Sequence, residues 1–82
     1  MRDEIRKYLS QSLLIDFGGN VDDETDLFEA GLMDSYAFVE LVSFLERQYG
    51  MEVSEDELYS SELTSLAGIE RFVSGKRRGM AA

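Results

Sequence analysis

Neither histidine nor cysteine occurs among the 82 residues. The usual general base at neutral pH, the thiol nucleophile and the commonest zinc ligands are therefore missing. Chemistry has to be sought among hydroxyls, carboxylates and glycine turns. The carboxylates crowd between Asp22 and Asp26. Set on a calcium-binding EF-hand loop, Asp22, Glu24 and Asp26 fill positions 1, 3 and 5, but Leu27 then stands where the sharp turn needs Gly and Met33 where a bidentate Glu is needed. No metal site is expected there, beyond a weak, stabilising attraction of divalent cations to an acidic surface. Gly18-Gly19 lacks both the Lys of a phosphate-binding loop and a preceding strand pattern. A glycosidase pair of acids would need a cleft that so small a domain could hardly enclose. One hydroxyl remains. Ser35 follows Asp34 where a long polar stretch gives way to a strongly periodic apolar one, and Tyr36 and Val39 stand beside it. Two roles are open to it. In one, Asp34 or Ser35 caps a helix by satisfying an orphan amide. In the other, the hydroxyl carries a covalently attached phosphate, whose charge the unpaired amides and the helix dipole favour. Two apolar side chains next to a hydroxyl on an otherwise charged face suit a partner that must recognise that hydroxyl.

The elements that hold these residues are legible as helices. From Asp3 to about Ile15, the apolar Ile5, Leu9 and Leu13 recur every four residues, and Gly18-Gly19 closes the run. Residues 16 to 34 are long for a loop in a small domain, and Leu27-Phe28 with Leu32 are expected to pin it to the core. Phe38, Leu41, Val42, Leu45 and Tyr49 then define a second helix over Ser35–Tyr49, with Gly50 as its closing residue. Its opposite side carries Tyr36, Glu40, Ser43 and Arg47, with Val39 on the flank. Met51 and Val53 are expected to be buried. Ser54-Glu55-Asp56-Glu57 fits a capping box that would start a short third helix with Leu58 inward, ending at Ser60-Ser61. Leu66, Ile69 and Val73, with Phe72, mark a fourth helix from about Thr64 to Ser74, broken by Gly75. Lys76, Arg77 and Arg78 come next as cations suited to a helix C-terminus, and Gly79 to Ala82 are expected to fray. Gly68 inside this helix costs about 1 kcal/mol relative to Ala and should mark a close backbone approach. The fold class predicted is all-α, a four-helix bundle with a long loop between helices 1 and 2 and a short third helix. Residues 1–82 form a single domain, folded over about 3–75 with a basic tail at 76–82. Its core is drawn from Ile5, Leu9, Leu13, Phe28, Leu32, Phe38, Leu41, Leu45, Tyr49, Val53, Leu66, Ile69 and Val73.

Charge narrows the partners. The formal net charge is −9, but between Asp16 and Glu62 fourteen acidic residues face a single basic one, Arg47, a local net of −13. Nucleic acid is a poor partner for such a surface, and a basic protein a good one. The hydrophobic content of 44% argues against disorder. Mass scaling lets the chain bury roughly 60% of its surface, enough for a core without disulfides. No apolar run approaches the roughly 20 residues of a spanning helix, and no apolar segment of signal-peptide type opens the chain, so a cytoplasmic monomer is expected.

The stretch Leu27-Phe28-Glu29-Ala30-Gly31-Leu32-Met33-Asp34-Ser35-Tyr36, followed by Val39-Glu40-Leu41-Val42 and Leu45-Glu46, resembles the phosphopantetheine attachment region of acyl carrier proteins. The hallmark of that family is Asp-Ser and a bulky apolar residue at the start of helix two. The resemblance covers nearly the whole chain, including the Gly-Met-Glu-Val connection at 50–53 and the Leu66-Ala67-Gly68-Ile69 stretch. It implies an acyl-carrier-type bundle in which Ser35 carries 4′-phosphopantetheine through a phosphodiester, added from coenzyme A by a phosphopantetheinyl transferase. It implies acyl groups held as thioesters on the arm's thiol, so that the chain is a substrate of other enzymes and itself catalyses nothing. Asp34, Tyr36, Val39 and Glu40 match positions that in the family face the transferase, the acyl-loading ligase or transferase and the downstream acyl-processing enzymes, and Glu46 is expected to extend that acidic strip. Departures lie around the Ser. Leu32-Met33 replaces a small pair, Tyr36 stands where Leu is usual, and Ser43 and Arg47-Gln48 thin the acids of helix two. In these respects the chain looks more like a stand-alone specialised carrier, serving a secondary-metabolite ligase or an aminoacyl or D-alanyl transfer system; peptidyl carriers share the fold. The competing reading is a small acidic helical adaptor that docks a basic partner, with Ser35 an ordinary cap.

Overall fold

Three α-helices and two short 3-10 turns account for the regular structure, with no strand among the described residues: α1 over Arg2–Ser12, α2 over Ser35–Tyr49, the turns over Glu57–Tyr59 and Ser61–Thr64, and α3 over Leu66–Ala81. The computed structural model describes the backbone of residues 1–81 and the side chains of residues 1–77. The all-α class and the long loop before α2 are as predicted. The count of four helices is not, because the short third helix is replaced by the two 3-10 turns. The capping box itself forms reciprocally: the Ser54 N–H donates to Glu57 Oε1 at 2.9 Å and the Glu57 N–H to Ser54 Oγ at 3.2 Å. The segment beyond the box is too short and too polar to wind further. The chain instead re-enters extended geometry at Ser60 and makes a second turn that buries Leu63 completely while Leu58 stays half-buried.

The core is built from one stripe of each helix. Ile5 and Leu9 of α1, Leu41 and Leu45 of α2, and Leu66, Ile69 and Val73 of α3 have no exposed surface. Leu13, Leu32, Phe38, Tyr49 and Val53 pack around them half-buried. Phe28 does not belong with them. It is 38% exposed and leans its ring against Phe38 at 5.5 Å, while its neighbour Leu27 takes the buried place. Tyr8 of α1 stacks on Phe44 of α2 with ring centroids 4.2 Å apart. Gly68 is a close-approach residue, as expected: a Cβ there would overlap the Glu62 carbonyl of the second 3-10 turn.

Two helix ends differ from the sequence reading. Regular α1 stops at Ser12, because Leu14 adopts a left-handed φ of 58° that lets the Ile15 N–H return to the Leu9 carbonyl at 3.4 Å. Leucine thus takes the left-handed place after a helix end that glycine usually fills. Its effect is to turn Ile15 into the core and leave Leu14 84% exposed. At the other end, α3 runs through Gly75 to Ala81. Lys76 stays helical there, its ammonium 2.8 Å from Glu57 Oε1, and Arg77 lies over the Tyr49 ring. The backbone of Gly79–Ala81 is thus helical where fraying was expected, while the Arg78 side chain and Ala82 lie outside the described residues.

The long loop is held by its own acids. Asp22 Oδ1 accepts from the Glu24 amide and the Thr25 hydroxyl, and Asp26 Oδ1 from the Phe28 and Glu29 amides. These carboxylates are spent on turns. Asp23 instead receives Arg2 at 2.9 Å and Arg6 at 3.0 Å from α1, and its carbonyl accepts the Ala67 N–H at 2.8 Å. Burial alone would raise the Asp23 carboxyl pKa, but the hydrogen bonds from Arg6 and Arg2 outweigh it and hold the group below its usual range. The Leu27 N–H closes on the Thr64 carbonyl at 2.7 Å. Both ends of the molecule thus fix the loop that delivers the chain to Asp34. Among the described residues no helix is long and apolar enough to cross a membrane.

Candidate functional site

Asp34 and Ser35 divide the start of α2 between them. Asp34 is the N-cap: its backbone is extended, with φ −108° and ψ −177°, its Oδ1 accepts the Ala37 N–H at 2.8 Å, and its carbonyl accepts the Phe38 N–H at 2.9 Å. Ser35 is the first helical residue, and it is exposed. Since the cap is the carboxylate of Asp34, the Ser35 hydroxyl is not needed to close the helix. No internal hydrogen bond engages the amides of Ser35 and Tyr36 among the described residues, as expected of the first two positions of a helix. A phosphodiester on Ser35 Oγ would meet these amides at the positive end of a 15-residue helix.

The face around the hydroxyl carries two exposed apolar side chains with an acid beside them. Tyr36 is 75% exposed and Val39 62%, and Glu40 is exposed on the same side. An exposed Tyr next to an exposed Val on a helix whose other side is fully buried is what the helical phase requires, and the two contribute nothing to the core. Glu46 does not extend this strip. It is half-buried, and its Oε2 accepts the Val53 N–H at 2.9 Å, so it braces the connection after α2. Glu46 stands two turns after Val39 on the flank of α2, and the chain returning after Gly50 brings the Val53 amide to its carboxylate. The sequence reading therefore placed Ser35, Asp34, Tyr36, Val39 and Glu40 together, and the structure brings these five to one end of one face.

An open groove of about 410 Å³ lies at this end, which sequence reasoning did not anticipate. It is lined by Ser12 and Leu13 at the end of α1, by Gly31, Leu32 and Met33 of the loop, by the Asp34 cap, and by Tyr36 and Ala37 of α2. The signal in the sequence was faint, since it depends on α1 ending at Ser12. A larger open groove of about 940 Å³ lies at the opposite end of α2, bounded by Gly50, Met51, Phe72, Gly75 and the Lys76–Glu57 pair. None of the residues around Ser35 lines it, and the length of α2 separates it from the hydroxyl.

A family model described as "Phosphopantetheine attachment site" matches residues 3–73, from the first turn of α1 to the last buried turn of α3. Among curated proteins, none matches the chain significantly.

Proposed function

The chain belongs to the phosphopantetheine-attachment family of carrier proteins, and we propose that Ser35 is its attachment residue and that it serves as an acyl carrier, presenting acyl intermediates to partner enzymes of fatty-acid, polyketide or related biosynthesis. One observation carries the assignment of the residue: Asp34 supplies the helix cap and the adjacent hydroxyl is left exposed and free to react. The bound 4′-phosphopantetheine supplies a thiol for thioester formation, which a chain with no cysteine lacks.

The chain's own residues position and advertise that hydroxyl. The Asp34 cap fixes where α2 begins and hence where Ser35 Oγ points. In modification, Ser35 Oγ attacks the β-phosphorus of coenzyme A; a phosphodiester forms, the hydroxyl proton passes to a base of the transferase, and adenosine 3′,5′-bisphosphate leaves. The open Ser35 and Tyr36 amides lie where the diester's negative charge arrives. Tyr36 and Val39 offer apolar contact to the transferase and to acyl-handling enzymes, while Asp34 and Glu40 favour partners with basic surfaces.

Intact-mass spectrometry tests this reading. Incubation with coenzyme A and a phosphopantetheinyl transferase should add one phosphopantetheinyl group to the wild type and none to Ser35→Ala. An unmodified wild type, or a modified Ser35→Ala, would refute it.

A further inference from the structure

Most of the cations whose side chains are described have a partner within the fold. Arg2 and Arg6 meet Asp23, Arg71 approaches Glu24 and Glu62, Lys76 meets Glu57, and Arg77 lies over the Tyr49 ring. Arg47 is different. It is exposed, it enters no ion pair among the described residues, and it is the single cation between Asp16 and Glu62. Its place on α2 is specific. Tyr36, Glu40, Ser43 and Arg47 follow one another at i, i+4, i+7 and i+11, so they form one stripe on the side turned away from the buried Leu41 and Leu45. Glu40 and Arg47 stand two turns apart on it, roughly 10 Å along the axis, too far to pair with each other. The short Ser43 side chain between them leaves room for an approaching surface. The helix dipole does not account for the placement, because a cation at any position of the last turn serves it, and Gln48 and Tyr49 stand in that turn too.

We propose that Arg47 is a specificity-determining residue of this face: it selects a modifying transferase whose surface sets an acidic side chain about two helical turns beyond the basic one that meets Glu40. The proposal rests on Ser35 as the attachment residue. Complementarity to such a stripe requires an order of charges as well as a sign. A partner with the matching order gains at both ends, whereas one whose basic surface runs on unbroken is attracted at Glu40 and repelled at Arg47. The net charge of −9 attracts basic surfaces in general. Arg47 discriminates among them.

The test is the initial rate of Ser35 modification by the phosphopantetheinyl transferase of the same organism, followed by intact mass at a low concentration of the carrier so that it reads kcat/KM. Arg47→Glu should lower kcat/KM about tenfold at low salt, because an attraction becomes a repulsion, while Arg47→Lys should stay close to the wild type. Lys7→Glu makes the same change in net charge at an exposed position of α1 and should not lower the rate. A double variant, Arg47→Gln with Gln48→Arg, keeps the composition, the net charge and a cation in the last turn but moves that cation off the stripe. It should lose about threefold, the scale of one exposed ion pair, and it decides the question if Arg47→Glu fails a circular-dichroism check. All the differences should shrink as salt rises towards about 0.5 M. Arg47→Glu at or above the wild-type rate, an equal loss in Lys7→Glu, or a double variant as fast as the wild type would overturn the role of Arg47 and leave Ser35 standing. So would a wild type that sediments as a dimer at low salt and as a monomer in Arg47→Glu, which would give the face to a second copy of the chain. A wild-type mass spectrum with no arm on Ser35 would overturn both.

Discussion

At the scale of single residues, the start of α2 separates side chains that fold the protein from side chains left exposed, although the two kinds stand next to each other in sequence. Tyr36 and Glu40 are exposed and contribute nothing to the buried stripe. Tyr36→Ala should therefore slow modification of Ser35 at every ionic strength, since a desolvated aromatic contact governs how long a complex lasts. Glu40→Gln should slow it at low salt and lose its effect as salt rises, since a rim charge acts mainly on association. Circular dichroism should be unchanged in both, and transferase kinetics at two salt concentrations check the contrast; a salt-independent effect of Glu40→Gln would refute it. Glu46 should behave in the opposite way. Glu46→Ala removes the acceptor of the Val53 amide and should cost about 1 kcal/mol in denaturant unfolding, whereas Glu46→Gln keeps an acceptor and should be nearly neutral. The five residues at Ser35 were legible in sequence because type and helical phase agreed. Glu46 was misplaced because its partner is the Val53 amide of the following connection, and a half-buried acid that accepts a backbone amide looks in sequence like any other acid.

At the scale of elements, the most telling feature is the end of α1. A leucine held at φ 58° with its side chain 84% exposed combines a backbone cost of about 1–2 kcal/mol with apolar surface left in water. The compensation is Ile15, which that turn delivers to the core at 2% exposure. Leu14→Gly keeps the turn and removes the steric cost. Set against the extra unfolded-state entropy of glycine, it should stabilise by up to about 1 kcal/mol, read as a higher Tm; a lower Tm would mean that Leu14 makes contacts worth more than its strain. This is also why the ending was not legible. The pattern rule looks for glycine, and the nearest ones, Gly18 and Gly19, lie well past the turn. The reverse happened in α3, where Gly75 reads as a stop. The helix continues because Lys76 reaches Glu57 and Arg77 reaches Tyr49, tertiary contacts that outweigh a propensity cost of about 1 kcal/mol. Leu63 was missed for a third reason, since a 3-10 turn of four residues has no periodicity to detect. By contrast α2 was read to the residue, with five stripe positions, a cap and Gly50 at φ 60° all pointing the same way.

At the scale of the whole molecule, seven of the eight cations lie outside the acidic segment from Asp16 to Glu62, and the structure returns several of them to it. Arg2 and Arg6 meet Asp23, Lys76 meets Glu57, and Arg71 approaches Glu24 and Glu62 at 3.7 and 3.8 Å. The terminal helices thus neutralise the flank of the acidic segment that faces them, while Asp34 and Glu40 at the site take part in none of these pairs. The consequences for stability are two opposed electrostatic effects. With a net charge of −9, the acids repel one another, and protons, salt or magnesium should relieve this. The paired acids act in the other direction. Hydrogen bonds from Lys76 and Ser54 hold the Glu57 carboxyl below its usual range, and those from Arg6 and Arg2 overcome burial to do the same for Asp23. A carboxyl with a lowered folded pKa contributes stability that is present above its unfolded value, about 4, and lost as pH falls through its lower folded value. In low salt, Tm should therefore hold or rise from pH 7 towards about 5, as a falling net negative charge relieves the repulsion. It should fall below about 4, where Asp23 and Glu57 lose their partners. At pH 7, moderate salt or magnesium should raise Tm, because these surface pairs are individually weak and the repulsion is summed over many charges. Calorimetry across pH and salt checks both arms, and Asp23→Asn separates them: it should lower Tm at pH 7 and flatten the acid-side fall while leaving the salt response in place. A wild-type Tm that drops on adding salt at pH 7 would mean that the pairs outweigh the repulsion, and the loop from Asp16 to Asp34 would then be held to the bundle mainly by the two arginines of α1.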